Sequence, residues 1–232
     1  MNSYSVVIPC YNESQGVSSL VMKLVELTTL VDCEIILVNN GSQDNTGELL
    51  DKLTATHKCM IVVHVQENVG YGSGILTGLC HATGDVIGWT HADLQADPMD
   101  IAAAIREFEQ ERPRMLVKGR RFGRPRLDKF FTDCMSVFET ALFGVSMSDI
   151  NAQPTLFTRA LYDEWQSAPD DFALDLFAYH TAITKGYDII RVPVRFGPRK
   201  YGKSSWNNGL TGRLKFIVRT LSYSFKLSRT VK

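Results

Sequence analysis

The sequence lacks the features that mark membrane-spanning, exported and disulfide-stapled proteins. It has no continuously apolar stretch of about 18 residues, so we expect no transmembrane helix. Residues 1–9 carry no basic cluster and are too polar for a secretory signal. The five cysteines are odd in number and form no C-x-x-C pair. These absences predict reduced cysteines and a cytoplasmic protein.

Acidic residues are missing from the end of the chain. Residues 195–232 hold ten Lys or Arg and no Asp or Glu, whereas the 194 residues before them hold 15 basic and 25 acidic side chains. The formal net charge of zero therefore hides a basic tail on an acidic body. We expect such a tail to meet phosphates or an anionic surface, and we expect no nucleic-acid partner.

The body of the chain reads as one α/β domain. Its composition, 44% hydrophobic and 22% charged over 232 residues, is that of a globular protein. Short apolar runs alternate with amphipathic segments, which predicts a mostly parallel sheet flanked by helices. We predict strands at residues 5–8, 34–38, 60–65, 85–90 and 115–117, and helices at residues 14–30, 44–56, 71–81 and 98–111.

Polar or small residues follow four consecutive predicted strands. Ligands of open parallel sheets bind beyond the carboxyl ends of the strands, so these segments should meet at one rim. Turn chemistry accounts for any one of them, but four together indicate a site. The segments are residues 9–13, 39–44, 68–74 and 91–95.

The fourth segment carries a candidate metal site. His91, Asp93 and Gln95 alternate after a strand, so their side chains should point the same way. Carboxylate and amide oxygens suit Mg²⁺ or Mn²⁺, and an imidazole favours Mn²⁺. The alternative is that Asp93 caps the helix beginning near Pro98 and that His91 is merely buried.

Two further clusters have both a structural and a functional interpretation. Gly70, Gly72 and Gly74 lack the spacing of a dinucleotide fingerprint, and we favour a tight loop with close helix packing. A basic run follows the fifth strand, and we expect at least one of its members to bind phosphate rather than only face solvent. The run is Lys118, Arg120, Arg121, Arg124, Arg126 and Lys129.

These segments resemble the motifs of the family 2 glycosyltransferases, most of all the dolichyl-phosphate mannose synthase-like branch. The resemblance runs from Ser5 to about Ser205, and its strength lies in the order and spacing of the motifs. The matching segments are Val7-Ile8-Pro9-Cys10-Tyr11-Asn12-Glu13, Val38-Asn39-Asn40-Gly41-Ser42-x-Asp44, Asn68-x-Gly70, His91-Ala92-Asp93-Leu94-Gln95, Lys118-Gly119-Arg120-Arg121-Phe122, Asp149-Ile150-Asn151-Ala152-Gln153-Pro154 and the run from Phe196 to Ser204.

The resemblance implies a glycosyltransferase-A-type fold and an inverting sugar transfer from a nucleotide-diphosphate sugar. It implies a metal, Mn²⁺ or Mg²⁺, held by Asp93 and Gln95 with His91 nearby. In this branch the acceptor is a polyprenyl phosphate, and the resemblance assigns its binding to Arg121 and Arg199. With Asp93 these two arginines form the expected catalytic set. The residues implied to bind the donor are Pro9, Tyr11, Glu13, Asn40, Ala92 and Asp93.

Three positions depart from the family pattern. Asn39 and Asn40 stand where the family has two aspartates, so the base of the donor is open. His91 replaces the first aspartate of the metal motif and is a weaker ligand for hard cations. Ser205 replaces a lysine, which removes one expected contact with the acceptor phosphate. The roles of Asn151 and Gln153 are also open.

Whether the acceptor is a phosphate or a sugar hydroxyl depends on whether the site offers a general base. A phosphate is already ionised near neutral pH and needs none, whereas a sugar hydroxyl must lose a proton. Asp149 and Asp175 are possible bases, but neither stands out in the sequence, which favours the phosphate. The alternatives are transfer to a hydroxyl of a lipid-linked or soluble glycan, and a binding protein that has lost catalysis.

The tail predicts a second unit. We divide the chain into a catalytic domain at residues 1–205 and a basic amphipathic helix at residues 206–232. Apolar residues recur at helical spacing, and Arg213, Lys215, Arg219 and Lys226 take other positions on the helix. This pattern fits a helix lying in a membrane interface at the cytoplasmic face, or one packed on the domain. The apolar stripe is Leu210, Leu214, Ile217, Val218, Leu221 and Phe225.

Overall fold

The computed structural model describes residues 3–110, 112–202 and 209–230, and in the last helix the side chains of residues 217–228. These residues build a seven-stranded sheet. Its strands are β1 (Tyr4–Cys10), β2 (Glu34–Asn40), β3 (Met60–Val65), β4 (Val86–Trp89), β5 (Met115–Phe122), β6 (Thr155–Thr158) and β7 (Asp188–Arg195).

Helices cover both faces of the sheet. One apolar cluster fills the face under the first, second and fourth helices, and a second fills the face under the third and seventh. The helices are α1 (Val17–Leu30), α2 (Thr46–Thr54), α3 (Tyr71–His81), α4 (Asp100–Phe108), α5 (Arg126–Phe143), α6 (Arg159–Asp163), α7 (Leu174–Thr184) and α8 (Gly209–Thr230).

The strand order is β3-β2-β1-β4-β6-β5-β7, and only β6 runs antiparallel to its neighbours among the described strands. Residues 6–8 of β1 and 35–38 of β2 are apolar and fully buried, as expected for strands covered on both faces. The predicted α/β class with a mostly parallel sheet is therefore confirmed. Six carboxyl ends share one rim, together with the amino end of β6.

The predicted elements are present, and all but β3 and α3 have shifted ends. β5 extends to Phe122, five residues beyond the predicted end, because its basic residues continue the ladder with β7. α4 begins at Asp100, after a turn at Pro98, and Asp97 caps that turn by accepting the Met99 N–H at 3.1 Å. α4 ends at Phe108 with Glu109 as its C-cap, so the predicted end at residue 111 is wrong by three residues.

The C-terminal helix α8 packs against α5 through a buried polar contact. Ser224 of α8 donates a hydrogen bond of 2.6 Å to Glu139, the fully buried residue of α5, and Leu227 joins the second apolar cluster. Val218 and Phe225 of the predicted stripe remain 58% and 48% exposed. The side chains of Leu210, Arg213, Leu214 and Lys215 and the predicted domain boundary at 205–206 lie outside the described residues, so the boundary stays a prediction.

The buried carboxyl of Glu139 generates a prediction about pH. Burial raises its pKa from 4.5 to about 7, against the opposing effect of the Ser224 hydrogen bond. Between these values the folded chain holds a proton that the unfolded chain has released. The contribution of Glu139 to stability is therefore fully present below pH 4.5 and is lost as the pH rises to about 7. We expect Glu139→Gln to gain on the order of 2 kcal/mol over the unmodified protein at pH 8 and little at pH 5.

Urea unfolding at the two pH values measures this difference. Glu67→Gln, an exposed loop position, is the matched control and should leave the pH dependence unchanged. An equal effect of Glu139→Gln at both pH values would contradict the assignment.

Candidate functional site

The site lies where the strand order reverses. The chain builds β1, β2 and β3 outward in one direction and then places β4 on the other side of β1. Such a switch point leaves a crevice between the loops that follow the two strands, and open α/β sheets bind ligands there. Glu13 follows β1, and Asp93 follows β4.

An arginine from the far end of the domain joins these two carboxylates. Arg199 donates from Nη2 to Glu13, and its Nη1 lies 3.8 Å from Asp93 Oδ2. Its Nε donates to the carbonyl of Tyr201 at 2.7 Å, which fixes the guanidinium. Burial raises the pKa of Glu13, although Arg199 acts to lower it. Of the remaining residues implied for the donor, Ala92 is buried, and Pro9 and Tyr11 are partly exposed.

The loop after β4 is not extended. β4 ends at Trp89, and Leu94 adopts a left-handed conformation with φ of 57°. We grouped His91, Asp93 and Gln95 because alternate residues of a strand point the same way. That reason is wrong, because these residues do not lie on a strand. A local turn joins them instead, since the Gln95 N–H donates to Asp93 Oδ1 at 3.1 Å. The alternative role for Asp93 as the cap of α4 is also wrong, because α4 has no side-chain cap hydrogen bond and Asp93 instead accepts the Gln95 N–H.

Gln95 is locked to the segment that carries Arg199. Its Nε2 donates to the Gly197 carbonyl at 3.0 Å, and its own carbonyl accepts the Gly197 N–H at 2.8 Å. Burial lowers the pKa of His91, against the attraction of Asp93 and Asp175, so its imidazole is neutral near pH 7. Among the described residues no cluster of three His, Cys, Asp or Glu side chains could hold a metal. A cation here would need further oxygen ligands from a substrate.

The predicted tight loop is wrong for Gly72 and Gly74, which lie inside α3, whereas the predicted close packing of the helix is present. A Cβ at Gly72 would lie 2.6 Å from the backbone of Asp170 and Asp171, so the start of α3 packs directly on that backbone. The Asn40 amide donates to the Gly70 carbonyl at 2.9 Å, and its Oδ1 is buried without a partner among the described residues.

The basic run divides into residues with different roles. Lys118 lies inside β5 and is fully buried, and its Nζ donates to Thr155 at 2.8 Å and Asp175 at 3.2 Å. Gln153 also donates to Asp175, at 2.6 Å. Burial lowers the pKa of Lys118 against the attraction of Asp175. Lys118 thus forms a structural ion pair with Asp175 and does not face solvent as a phosphate ligand would.

Arg121 and Arg124 share one carboxylate. Asp149 accepts from the Arg121 backbone N–H at 2.7 Å and from its Nε at 2.8 Å, and lies 3.7 Å from Arg124 Nη2. Burial acts to raise the pKa of Asp149, but the two arginines outweigh it and the net shift is downward. Arg121 also stacks over the ring of Phe196.

Sequence reasoning missed an aromatic wall beside His91. Tyr71 lies 5.5 Å from the His91 ring and stacks on Phe172 at 4.7 Å between ring centroids. The guanidinium of Arg219 of α8 lies over the Phe172 ring, 5.4 Å from its centroid, and pairs with Asp171 at 3.3 Å. The contacts of Phe172 with Tyr71 and Arg219 span 101 and 47 residues of sequence, and no local pattern signals them. They connect the C-terminal helix to the loop that carries the candidate metal ligands.

Comparisons with known proteins agree with this geometry. The family model for Glycosyl transferase family 2 matches residues 5–143. The undecaprenyl-phosphate 4-deoxy-4-formamido-L-arabinose transferases of Proteus mirabilis and Sodalis glossinidius are 28% and 27% identical over 214 residues. The match takes in 89% of this chain and 64% of each relative, so the chain spans less than two thirds of their length.

Solved structures share the fold. Glucosyl-3-phosphoglycerate synthase from Mycobacterium tuberculosis, in complex with Mn²⁺, UDP and glucosyl-3-phosphoglycerate, superposes with a TM-score of 0.74 at 20% identity, over 96% of this chain and 80% of that one. A mannosyltransferase from Pyrobaculum calidifontis, in complex with GDP-mannose and Mn²⁺, gives 0.65 at 20% identity, over 97% of this chain and 64% of that one.

The buried pair of Lys118 and Asp175 generates a stability prediction. Lys118→Met leaves a fully buried carboxylate without its cation, which should cost about 3–5 kcal/mol of unfolding free energy. Adding Asp175→Asn removes the unpaired charge and should restore part of the loss. Lys129→Met removes an exposed lysine paired with Asp133 and should cost at most about 1 kcal/mol. Urea unfolding measures all three, and equal losses for Lys118→Met and Lys129→Met would refute the buried ion pair.

Proposed function

Because this chain belongs to glycosyl transferase family 2, we propose that it transfers a sugar from a nucleotide-diphosphate sugar to the phosphate of a polyprenyl phosphate, with inversion at the anomeric carbon. The observation that supports this acceptor is that both carboxylates that could act as a base are bound by cationic side chains. Asp149 is bound by Arg121, and Asp175 is bound by Lys118. Both side chains are held by cations within the protein, so an acceptor that is already ionised and needs no base suits this site.

The relatives support the same acceptor class. The curated proteins from Proteus mirabilis and Sodalis glossinidius carry undecaprenyl phosphate in their names. The mycobacterial neighbour is named for a phosphoglycerate, which offers a hydroxyl as well as a phosphate. A hydroxyl acceptor would need a base, and the pairing of Asp149 and Asp175 argues against it.

The rim residues suit a nucleotide diphosphate. Glu13 and Asn40 lie at the ends of β1 and β2, and the unpartnered Oδ1 of Asn40 is an acceptor without a donor among the described residues. Asn40 is neutral where the family has a carboxylate, so it favours a base or ribose that offers a hydrogen-bond donor to an amide. Pro9, Tyr11 and Ala92 complete the wall of this donor subsite.

The chemistry of the loop after β4 fits a divalent cation. Asp93 offers a carboxylate, the amide of Gln95 presents its oxygen because its nitrogen is held by Gly197, and His91 is neutral. One carboxylate with few other protein ligands is typical of Mg²⁺ or Mn²⁺ bound together with substrate phosphates. When bound, the ion would stabilise the negative charge that grows on the leaving diphosphate.

We expect Arg199 to change partners when the donor binds. It now pairs with Glu13 and approaches Asp93, which are the carboxylates beside the donor subsite. An arriving diphosphate carries more negative charge than either carboxylate and suits the forked guanidinium better. We therefore assign Arg199 to the donor diphosphate.

An acceptor panel tests the function. With Mn²⁺ present, the protein should transfer sugar from a suitable nucleotide sugar to a short polyprenyl phosphate and not to the matching polyprenol or to free sugars. Asp93→Ala should lower this turnover at least about a hundredfold, as expected for loss of a group that holds the transition-state charge. Asp32→Ala, at an exposed position of no assigned role, is the matched control. Transfer to hydroxyl acceptors alone would refute the phosphate assignment, and the absence of any turnover would favour a non-catalytic binding protein.

A membrane contact follows from the same proposal, because a polyprenyl phosphate resides in a bilayer. Among the described residues no helix is long and apolar enough to cross a membrane. α5 and α8 instead carry exposed apolar side chains. The ring centroids of Phe138 of α5 and Phe225 of α8 lie 5.9 Å apart. The exposed set is Leu127, Phe130, Phe131, Val137, Val218 and Phe225. We propose that this surface rests in the interface of a membrane, at the cytoplasmic face where unpaired cysteines persist.

Liposome flotation tests this surface. Binding should require anionic lipid, weaken at high salt, and be lost in the double variant Phe130→Asp/Phe131→Asp, since charge is costly below the headgroups. Met22→Asp/Leu30→Asp makes the same change at two exposed apolar positions of α1 and should still bind. Equal flotation of both variants would exclude α5 from the contact.

A further inference from the structure

Four planar side chains form a continuous path from α8 to the candidate metal loop, residues 91–95. The Arg219 guanidinium lies over the ring of Phe172, 5.4 Å from its centroid. Phe172 stacks on Tyr71, the first residue of α3, with 4.7 Å between ring centroids and 11° between ring planes. The Tyr71 ring lies 5.5 Å from the ring of His91. We call these four side chains the ring stack, and it ends two residues before Asp93.

The middle of the ring stack is also held by hydrogen bonds. The Tyr71 hydroxyl accepts a bond from Gln153 Nε2 at 3.3 Å. The carbonyl of Asp170, two residues before Phe172, accepts the Ser73 N–H at 2.7 Å. The loop before α7 and the first turn of α3 are therefore joined both through the backbone and through the stacked rings.

Arg219 holds this loop from the side of α8. Its Nε lies 3.3 Å from Asp171 Oδ2, while Asp171 Oδ1 accepts the Ala173 N–H at 2.8 Å. One carboxylate thus connects α8 to the residue that precedes α7. The guanidinium makes two contacts with neighbouring residues, an ion pair with Asp171 and a cation–π contact with Phe172.

The candidate metal loop is fixed at its ends by hydrogen bonds and between them by the ring stack. Before the loop, the Thr90 N–H bonds to the carbonyl of a β1 residue at 3.0 Å. At the other end, Gln95 is bound to the segment after β7. Within the loop, the His91 ring leans on Tyr71. The position of Asp93 therefore depends on the ring stack as well as on the backbone.

We propose that Arg219 is a positioning residue of the transferase site, which acts on the candidate metal loop through the rings of Phe172, Tyr71 and His91. The helix α8 then serves the catalytic site as well as the membrane-facing surface. The proposal rests on the proposed function, because the ligand of the loop is the divalent cation of the donor complex. Arg219 does not touch that cation. It restricts the loop before the cation arrives, and a site that is already ordered loses less freedom on binding.

Mn²⁺ binding to the full chain tests this role. Electron paramagnetic resonance of free Mn²⁺ measures the dissociation constant, with Mn²⁺ alone and with UDP or GDP present, and with the nucleotide alone as the blank. Arg219→Gln should raise this constant about threefold to tenfold, the range expected for a lost cation–π contact and ion pair. Arg219→Lys keeps a cation beside the ring and should restore most of the affinity.

Two controls separate positioning from other effects. Arg106→Gln makes the same change at an exposed arginine of α4 and should bind Mn²⁺ as the unmodified protein does. The titrations contain no vesicles, so a loss of membrane contact cannot cause the difference. Arg219 is half exposed, so we expect the thermal unfolding of Arg219→Gln to stay close to that of the unmodified protein.

A double-mutant cycle shows whether the effect passes through the rings. Phe172→Leu removes the stacked ring and should weaken Mn²⁺ binding by itself. In that background Arg219→Gln should add little, because the path is already interrupted. Unchanged Mn²⁺ affinity in Arg219→Gln, or full additivity of the two changes, would overturn the positioning role alone. An unmodified protein that binds no Mn²⁺ would overturn the cation of the proposed function and this inference with it.

Discussion

The pairing of buried carboxylates with cations organises the carboxyl edge of the sheet. Lys118 of β5 holds Asp175 of α7, Arg121 holds Asp149 of the loop before β6, and Arg199 holds Glu13 after β1. Each pair ties together segments that are distant in sequence, and removing one partner would leave a charge in a poorly solvated place. The loops of the site are therefore fixed by electrostatics as much as by apolar packing. The same pairing leaves the site short of free bases, which agrees with an acceptor that brings its own charge.

The first half of the fold could be predicted from sequence because its signals are local. β3 and α3 have the predicted bounds, since apolar periodicity and a preceding glycine define them without help from other segments. The continuation of β5 to Phe122 escaped prediction because its second half is basic, and only the parallel neighbour β7 explains why Lys118 is buried in a strand. The strand β6 has four residues, too few for a periodic signal.

The candidate site shows the same division. Motif order brought Asp93, Gln95, Arg121 and Arg199 to attention, and all four lie at the rim of the sheet. Their partners could not be read from the sequence, because Asp149 and Glu13 are 28 and 186 residues from the arginines that bind them. The left-handed turn at Leu94 was equally hidden, since leucine rarely adopts that conformation and carries no signal for it. Sequence motifs thus predicted the candidate residues, and the tertiary fold supplies the partners that hold their side chains.

The antiparallel strand β6 has a consequence for how such a domain can diversify. It forms a seam between β4 and β5, pairing with residues 86–89 on one side and 116–118 on the other. On the proposed function, the donor and cation residues come from the segments before the seam, apart from Arg199, while the exposed apolar side chains of α5 and α8 come from the chain after β5. Substitutions in the second half can therefore adapt the domain to a new acceptor while the half proposed to bind the nucleotide is retained. β6 thus separates the half of the sheet formed by β1 to β4 from the half formed by β5 and β7, a division that a fully parallel sheet would lack.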